Sequence, residues 1–80
     1  MGRSRRSRPA KLGKKLKQIR IGLGLTQAEM ADKVKVKGDS IYAASISQYE
    51  RGLREPSLLV LLRYARLGGV TMEMLVDDKS

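Results

Sequence analysis

Ser45-Ile46-Ser47-Gln48-Tyr49-Glu50-Arg51-Gly52, together with Thr26-Gln27-Ala28-Glu29-Met30-Ala31 upstream, decides the fold. In the upstream stretch Thr26 stands just before a helical run with Glu29 three residues on, a spacing at which both side chains satisfy amide donors left unpaired at a helix start. In the downstream stretch Ile46 and Tyr49 share one helix face at i, i+3. Gly52 follows where a left-handed closing residue costs least. Two short helices with defined ends therefore sit close together in the chain.

Working outward, Leu12, Leu16, Ile19 and Leu23 recur at helical spacing, while Lys11, Lys14, Lys15 and Lys17 occupy the other face. This predicts a first helix that is amphipathic and basic and ends at Gly24. Thr26 caps the second helix, whose buried side is Met30, Ala31 and Val34. A polar stretch, Lys35 to Ser40, leads to a third helix from about Tyr42 to Arg51. Pro56-Ser57 opens a fourth, with Leu58, Leu61, Leu62 and Ala65 as its inward stripe and Gly68-Gly69 as its stop. Thr71 caps a short fifth helix whose Met72, Leu75 and Val76 face inward or toward a partner. The expectation is an all-α, compact five-helix domain over residues 10–78, behind a flexible basic arm at residues 1–9.

The net charge of +9 is concentrated at one end. Residues 1–20 carry nine Lys or Arg and no acid, and the remaining eight bases balance all eight acids. Such a block repels itself in isolation, but against a phosphate backbone it displaces counterions and gains affinity without regard to sequence. A solubilising tail is the bland alternative for the first eight residues. With no cysteine and no histidine, neither a disulfide framework nor zinc coordination is expected, and the commonest proton-transfer catalyst is missing. No cofactor or metal is expected, and no catalytic residue: the adjacent carboxylates Asp77 and Asp78 lie at a terminus with no base or nucleophile in view. The longest apolar run, Leu58 to Leu62, is far short of the ~20 residues a membrane helix needs. The start lacks an apolar signal core. A cytoplasmic location is the expectation.

The segments from Leu12 to Asp77 resemble the phage repressor and Cro family of helix-turn-helix regulators. The resemblance is carried by Leu23-Gly24-Leu25-Thr26-Gln27, Ile46-Ser47-Gln48-Tyr49-Glu50-Arg51-Gly52, Glu55-Pro56-Ser57-Leu58 and Gly69-Val70-Thr71-Met72-Glu73-Met74-Leu75. It implies a bacterial or phage protein associated with the nucleoid, and a lambda-repressor-like domain in which helices two and three form the helix-turn-helix and the third reads the major groove. It implies that Gln27, at the first position of the second helix, clamps the DNA backbone and buttresses the recognition helix. It also implies that Arg20, late in the first helix, pairs with Glu50 near a phosphate. Arg51 and Arg54 fall in a loop that the family lays along the backbone, where basic side chains position without specifying.

Two departures from the family pattern bear on what is read. The N-terminal positions of the recognition helix are Tyr42, Ala43, Ala44 and Ser47, with Gln48 one further. Where relatives often carry glutamine, Ala43 and Ala44 offer only methyl groups, which suit a thymine methyl or simply reflect helix propensity. Modest direct readout, with shape and backbone contacts contributing more, is the expectation. The connection between Ala31 and Ile46 is about five residues longer than the compact family turn, and the surplus Val36-Lys37-Gly38-Asp39-Ser40 is rich in turn formers. Ile41 is expected to plug the space between the helices, with the surplus looped outward and Lys35 and Lys37 either on a phosphate or solvated. Arg5, Arg6 and Arg8 of the arm join the candidate DNA contacts.

Leu59, Val60 and Met74 are apolar where periodicity and the family pattern place solvent-facing polar groups. With Leu67, Met72, Leu75 and Val76 nearby, they mark a homodimer face that suits two half-sites about 34 Å apart. The leading expectation is thus a dimeric, sequence-selective transcriptional repressor that is not an enzyme and binds double-stranded DNA. Two alternatives stay open. One is an antitoxin-type module whose apolar face sequesters a toxin or other protein partner, with DNA binding for autoregulation. The other is non-specific nucleic-acid packaging driven by the arm.

Overall fold

Helix α1 (Leu12–Gly22) has no side-chain cap and no acid in its first turn, so its stability comes from packing. Leu12 and Leu16 are buried, Ile19 is half-buried, and Leu23 lies just past the helix end and is 41% exposed. In the computed structural model, which describes residues 11–77, four more helices follow: α2 (Gln27–Val34), α3 (Ala43–Glu50), α4 (Leu58–Gly68) and α5 (Met72–Val76). No strand occurs among the described residues. The expected five-helix architecture is present. The arm, Arg5, Arg6 and Arg8 with it, and the outermost positions of the expected domain, 10 and 78, lie outside the described residues.

The helix starts are those the sequence marks. Thr26 Oγ1 accepts the Glu29 N–H at 3.1 Å while Glu29 Oε1 accepts the Thr26 N–H at 2.8 Å, a reciprocal box that fixes where α2 begins. Ser57 Oγ accepts the Val60 N–H at 3.4 Å, and Thr71 Oγ1 that of Met74 at 3.1 Å. The core gathers Leu16 of α1, Met30 and Val34 of α2, Ile46 of α3, Val60 and Tyr64 of α4 and Leu75 of α5, all fully buried or nearly so. Helix α3 lies against α2 and α1, and α4 reaches α1, α2 and α5. Lys15, grouped by sequence with the basic face of α1, turns its ammonium onto the Met74 and Asp77 carbonyl oxygens at 2.7 and 2.6 Å. It thereby satisfies acceptors that the end of α5 leaves open.

Three sequence expectations are corrected. The inward stripe of α4 is Val60, Leu61, Tyr64 and Ala65 rather than Leu58, Leu61, Leu62 and Ala65. Pro56 just before the helix is buried, and Leu58 stands 70% exposed. Val60, expected on the dimer face, is therefore entombed, and so is Leu75, at 0% and 2% exposure. Tyr64 is the largest fully buried side chain, and its hydroxyl has no hydrogen-bond partner among the described residues. Burial pushes that hydroxyl's pKa up, with the Glu50 charge adding to the effect. The third correction is Val36, which does not swing outward with the surplus residues but is buried in the same core cluster as Ile41.

Gly13 is a close-approach glycine. A Cβ there would lie 2.5 Å from the Glu50 carbonyl oxygen and 2.8 Å from that of Tyr49, so α1 and the end of α3 meet backbone to backbone. Gly13→Ala sets a gain in helix propensity of up to ~1 kcal/mol against an overpacking cost of ~1–3 kcal/mol that backbone oxygens cannot relieve by rotating. Urea denaturation is expected to show net destabilisation of about 1–2 kcal/mol. Unchanged or raised stability would mean that the two helices can part without cost.

The capping box also has a pH signature. Hydrogen bonds from the Thr26 backbone, and secondarily from its side chain, hold the Glu29 carboxyl below its ordinary value of 4.5. A group with a depressed folded-state pKa stabilises the fold fully above its unfolded pKa and loses that contribution as pH falls through the folded one. The melting temperature of the wild type is therefore expected to fall more steeply than that of Glu29→Gln as pH drops below about 4.5. Parallel profiles would remove Glu29 from the acid limb.

Candidate nucleic-acid interface

The third helix divides its residues sharply. Ser45, Ile46 and Tyr49 are buried against α1, α2 and the core, and Glu50 is turned toward α1. This leaves Tyr42, Ala44, Gln48 and Arg51 exposed and Ala43 and Ser47 half-exposed along the outer face. Tyr42 occupies the N-cap with extended backbone, φ −129° and ψ 174°. Its N–H donates to Ser45 Oγ at 3.1 Å, and Ile41 before it is buried. The Tyr42 ring, 65% exposed, is thus carried on a backbone fixed from both sides. The residues that the sequence assigned to base contact do share one accessible face, made of an aromatic ring, two methyl groups, a hydroxyl and an amide. Arg51 follows as the C-cap residue, and Gly52 closes the helix at φ +74°.

Behind that face lies a polar cluster centred on Glu50. Arg20 Nε donates to Glu50 Oε2 at 2.6 Å and Nη2 donates to Oε1 at 3.2 Å, the two-pronged geometry that a planar guanidinium offers a carboxylate. The remaining Arg20 nitrogen, Nη1, donates to the Leu25 carbonyl at 3.0 Å. Gln27 Nε2 donates to Glu50 Oε1 at 3.3 Å. The two charged side chains are only 14% and 4% exposed. The bond to Glu50 holds the Arg20 pKa above its ordinary value. The pairing of Arg20 with Glu50 is present, and Gln27 reaches the recognition helix as the resemblance implied.

Arg54 stands exposed in the loop after α3, and Lys37 is exposed in the turn before it. Lys35 makes a loose surface pair with Asp32 at 3.7 Å, a contact of little energetic weight. Away from these polar groups in the sequence, Leu58, Leu59, Met74 and Val76 of α4 and α5 are exposed and Met72 is half-exposed. Met74 also lines an open cleft between α1, α4 and α5, with Ile19, Leu23, Leu67 and Val70. Among the described residues no cluster of acidic side chains, histidine or cysteine suited to a metal ion occurs, and no helix is long and apolar enough to cross a membrane. Sequence reasoning missed Gly13, Val36 and Tyr64. A glycine in the first turn of an amphipathic helix was the one signal available for Gly13.

A family model described as helix-turn-helix matches residues 16–75. The chain belongs to the helix-turn-helix family. It is 35% identical over 65 residues to the HTH-type transcriptional regulator ImmR of Bacillus subtilis (strain 168), covering 81% of this chain and 47% of that protein. The chain thus spans about half the length of this curated relative. Among solved structures it resembles the P22 c2 repressor protein, determined in complex with synthetic operator 9T in the presence of Tl+. The TM-score is 0.70 at 24% identity, over 84% of this chain and 94% of that one. That likeness places the five helices in the phage-repressor arrangement of the helix-turn-helix fold.

In this helix-turn-helix chain, removing one partner of the Arg20–Glu50 pair strands the other where water is largely excluded. Glu50→Ala and Arg20→Ala are each expected to cost ~3 kcal/mol or more in equilibrium unfolding. The double variant is expected to cost less than the sum. Losses near zero would show both groups to be solvated.

Proposed function

We propose that the chain is a transcriptional repressor that binds double-stranded DNA by laying α3 in the major groove. The observation that carries this reading is the division of α3 into a core-anchored side and a free side holding Tyr42, Ala44 and Gln48. An α-helix fits the major groove, and its N-terminal residues are the ones that reach base edges. The names of the relatives, a transcriptional regulator and a repressor solved with an operator, support the same role. Tyr42, Ser47 and Gln48 supply hydrogen-bonding groups, and Ala43 and Ala44 supply methyls suited to thymine. Gln27, Arg20, Arg51, Arg54 and Lys37, with Arg5, Arg6 and Arg8 of the amino-terminal segment, supply backbone contacts that set register.

The repressor acts as a homodimer in this reading. With Val60 and Leu75 in the core, the contact face consists of Leu59, Met72, Met74 and Val76, joined by Leu58, and its exposed apolar character supports association. A second reading is favoured by the open apolar cleft between α1, α4 and α5: an antitoxin-type partner protein docks there while DNA binding serves autoregulation.

Selection from random duplexes at two salt concentrations tests the first reading. Enrichment of a palindrome is expected. The variant carrying Arg51→Ala and Arg54→Ala is expected to weaken binding evenly across sequences and to flatten the logarithmic salt slope by about 2. A steep slope without enrichment would instead mean non-specific packaging. Sedimentation of Leu59→Glu and Met74→Glu separates the dimer from the partner protein: loss of self-association is expected, and a monomeric wild type would contradict the dimer.

A further inference from the structure

The surplus residues between α2 and α3 are built into the fold. Val36 at their start is only 8% exposed, and the Asp39 N–H donates back to the Val36 carbonyl at 3.2 Å. That closes a turn in which Gly38 sits at φ +88°, a value that favours glycine at the third position. The turn delivers Asp39, half-buried, to the start of α4, where its Oδ2 accepts a hydrogen bond from Ser57 Oγ at 3.1 Å. The same Ser57 Oγ caps α4 by accepting the Val60 N–H.

We propose that Asp39 is a positioning residue for DNA selectivity, which rests on the DNA-binding reading above. Through Ser57 it ties the turn that precedes the recognition helix to the far end of the loop that follows it. That loop, residues 51–56, carries Arg51 and Arg54. Its near end is held by α3 itself, where the Leu53 N–H donates to the Gln48 carbonyl at 2.9 Å. Asp39 closes the circuit by holding the other end. The Tyr49 hydroxyl, whose pKa burial pushes up, is also raised by the charge of Asp39 and lowered by that of Arg54. The carboxylate is therefore within electrostatic reach of the recognition helix, at a side chain that Arg54 of the loop also reaches. Selective binding gains from correct placement of the arginines, whereas random binding does not depend on it.

The test compares the affinity of the full chain for its selected duplex and for a random duplex, at one salt concentration, in the wild type, Asp39→Ala, Asp39→Asn and Ser57→Asp. Asparagine keeps an acceptor for the Ser57 hydroxyl. Aspartate at position 57 keeps a good helix cap but faces Asp39 with like charge. Asp39→Ala and Ser57→Asp are expected to lower the selected-to-random ratio about tenfold, Asp39→Ala without weakening the random complex, while Asp39→Asn keeps the ratio within about threefold of wild type. A merely structural role would lower the melting temperature and leave the ratio of the folded fraction unchanged. A selective wild type whose ratio is unmoved in both Asp39→Ala and Ser57→Asp overturns this assignment alone. A wild type without selectivity overturns the DNA-binding reading, and this assignment with it.

Discussion

One carboxylate, that of Glu50, joins three helices. It lies near the end of α3, close to the outer face at which DNA would lie, and is 4% exposed. Left alone it would be both a buried charge and a like charge toward phosphate. The Arg20 guanidinium removes both problems through its two-pronged contact, and Gln27 adds a third donor from α2. Ion pairs this far from water return little net stability, because desolvation offsets much of their attraction. What the pair does supply is geometry. Arg20 is late in α1, Gln27 is first in α2 and Glu50 is last in α3, so their convergence fixes the angles at which α2 and α3 meet. Gly13 serves the same end sterically, allowing α1 to press its backbone against the carbonyls of Tyr49 and Glu50.

Much of this was legible in the sequence because it is written in local chemistry. Thr26 and Glu29, Ser57 and Thr71 each state where a helix begins, and their hydrogen bonds are local ones between residues three apart. The outward face of α3 followed from the i, i+3 placement of Ile46 and Tyr49. The rotation of α4 did not follow. Its sequence is apolar on nearly every side, so periodicity could not choose between Leu58 and Val60, and the choice fell to packing against the other helices, which buries Val60 and leaves Leu58 exposed. The hydroxyl of Tyr64 hid its place in the core. Val36 was lost among polar turn formers, because burial of one residue in a loop depends on what the loop lies against. Contacts such as Lys15 on the carbonyls of α5 or Asp39 on Ser57 join residues far apart in the chain, which no local pattern announces.

Two surfaces of the molecule have different physics. On one, polar and cationic groups stand over a buried network that cannot shift without stranding a charge. On the other, Leu58, Leu59, Met74 and Val76 offer apolar surface with few directional constraints. A rigid reading face and an adaptable apolar face are what a regulator needs when one surface must match the register of a duplex and the other gathers copies or partners. Helix α4 spans the two, since the residue that caps it, Ser57, is also the one that Asp39 holds.

The most direct measurement is a map of backbone amide chemical shifts of the full chain during titration with a short DNA duplex. Docking through α3 predicts that the strongest changes fall on Gln27, Tyr42 to Gln48, Arg51 and Arg54, with α4 and α5 moved little. Changes concentrated on α4 and α5, with α3 silent, would contradict it.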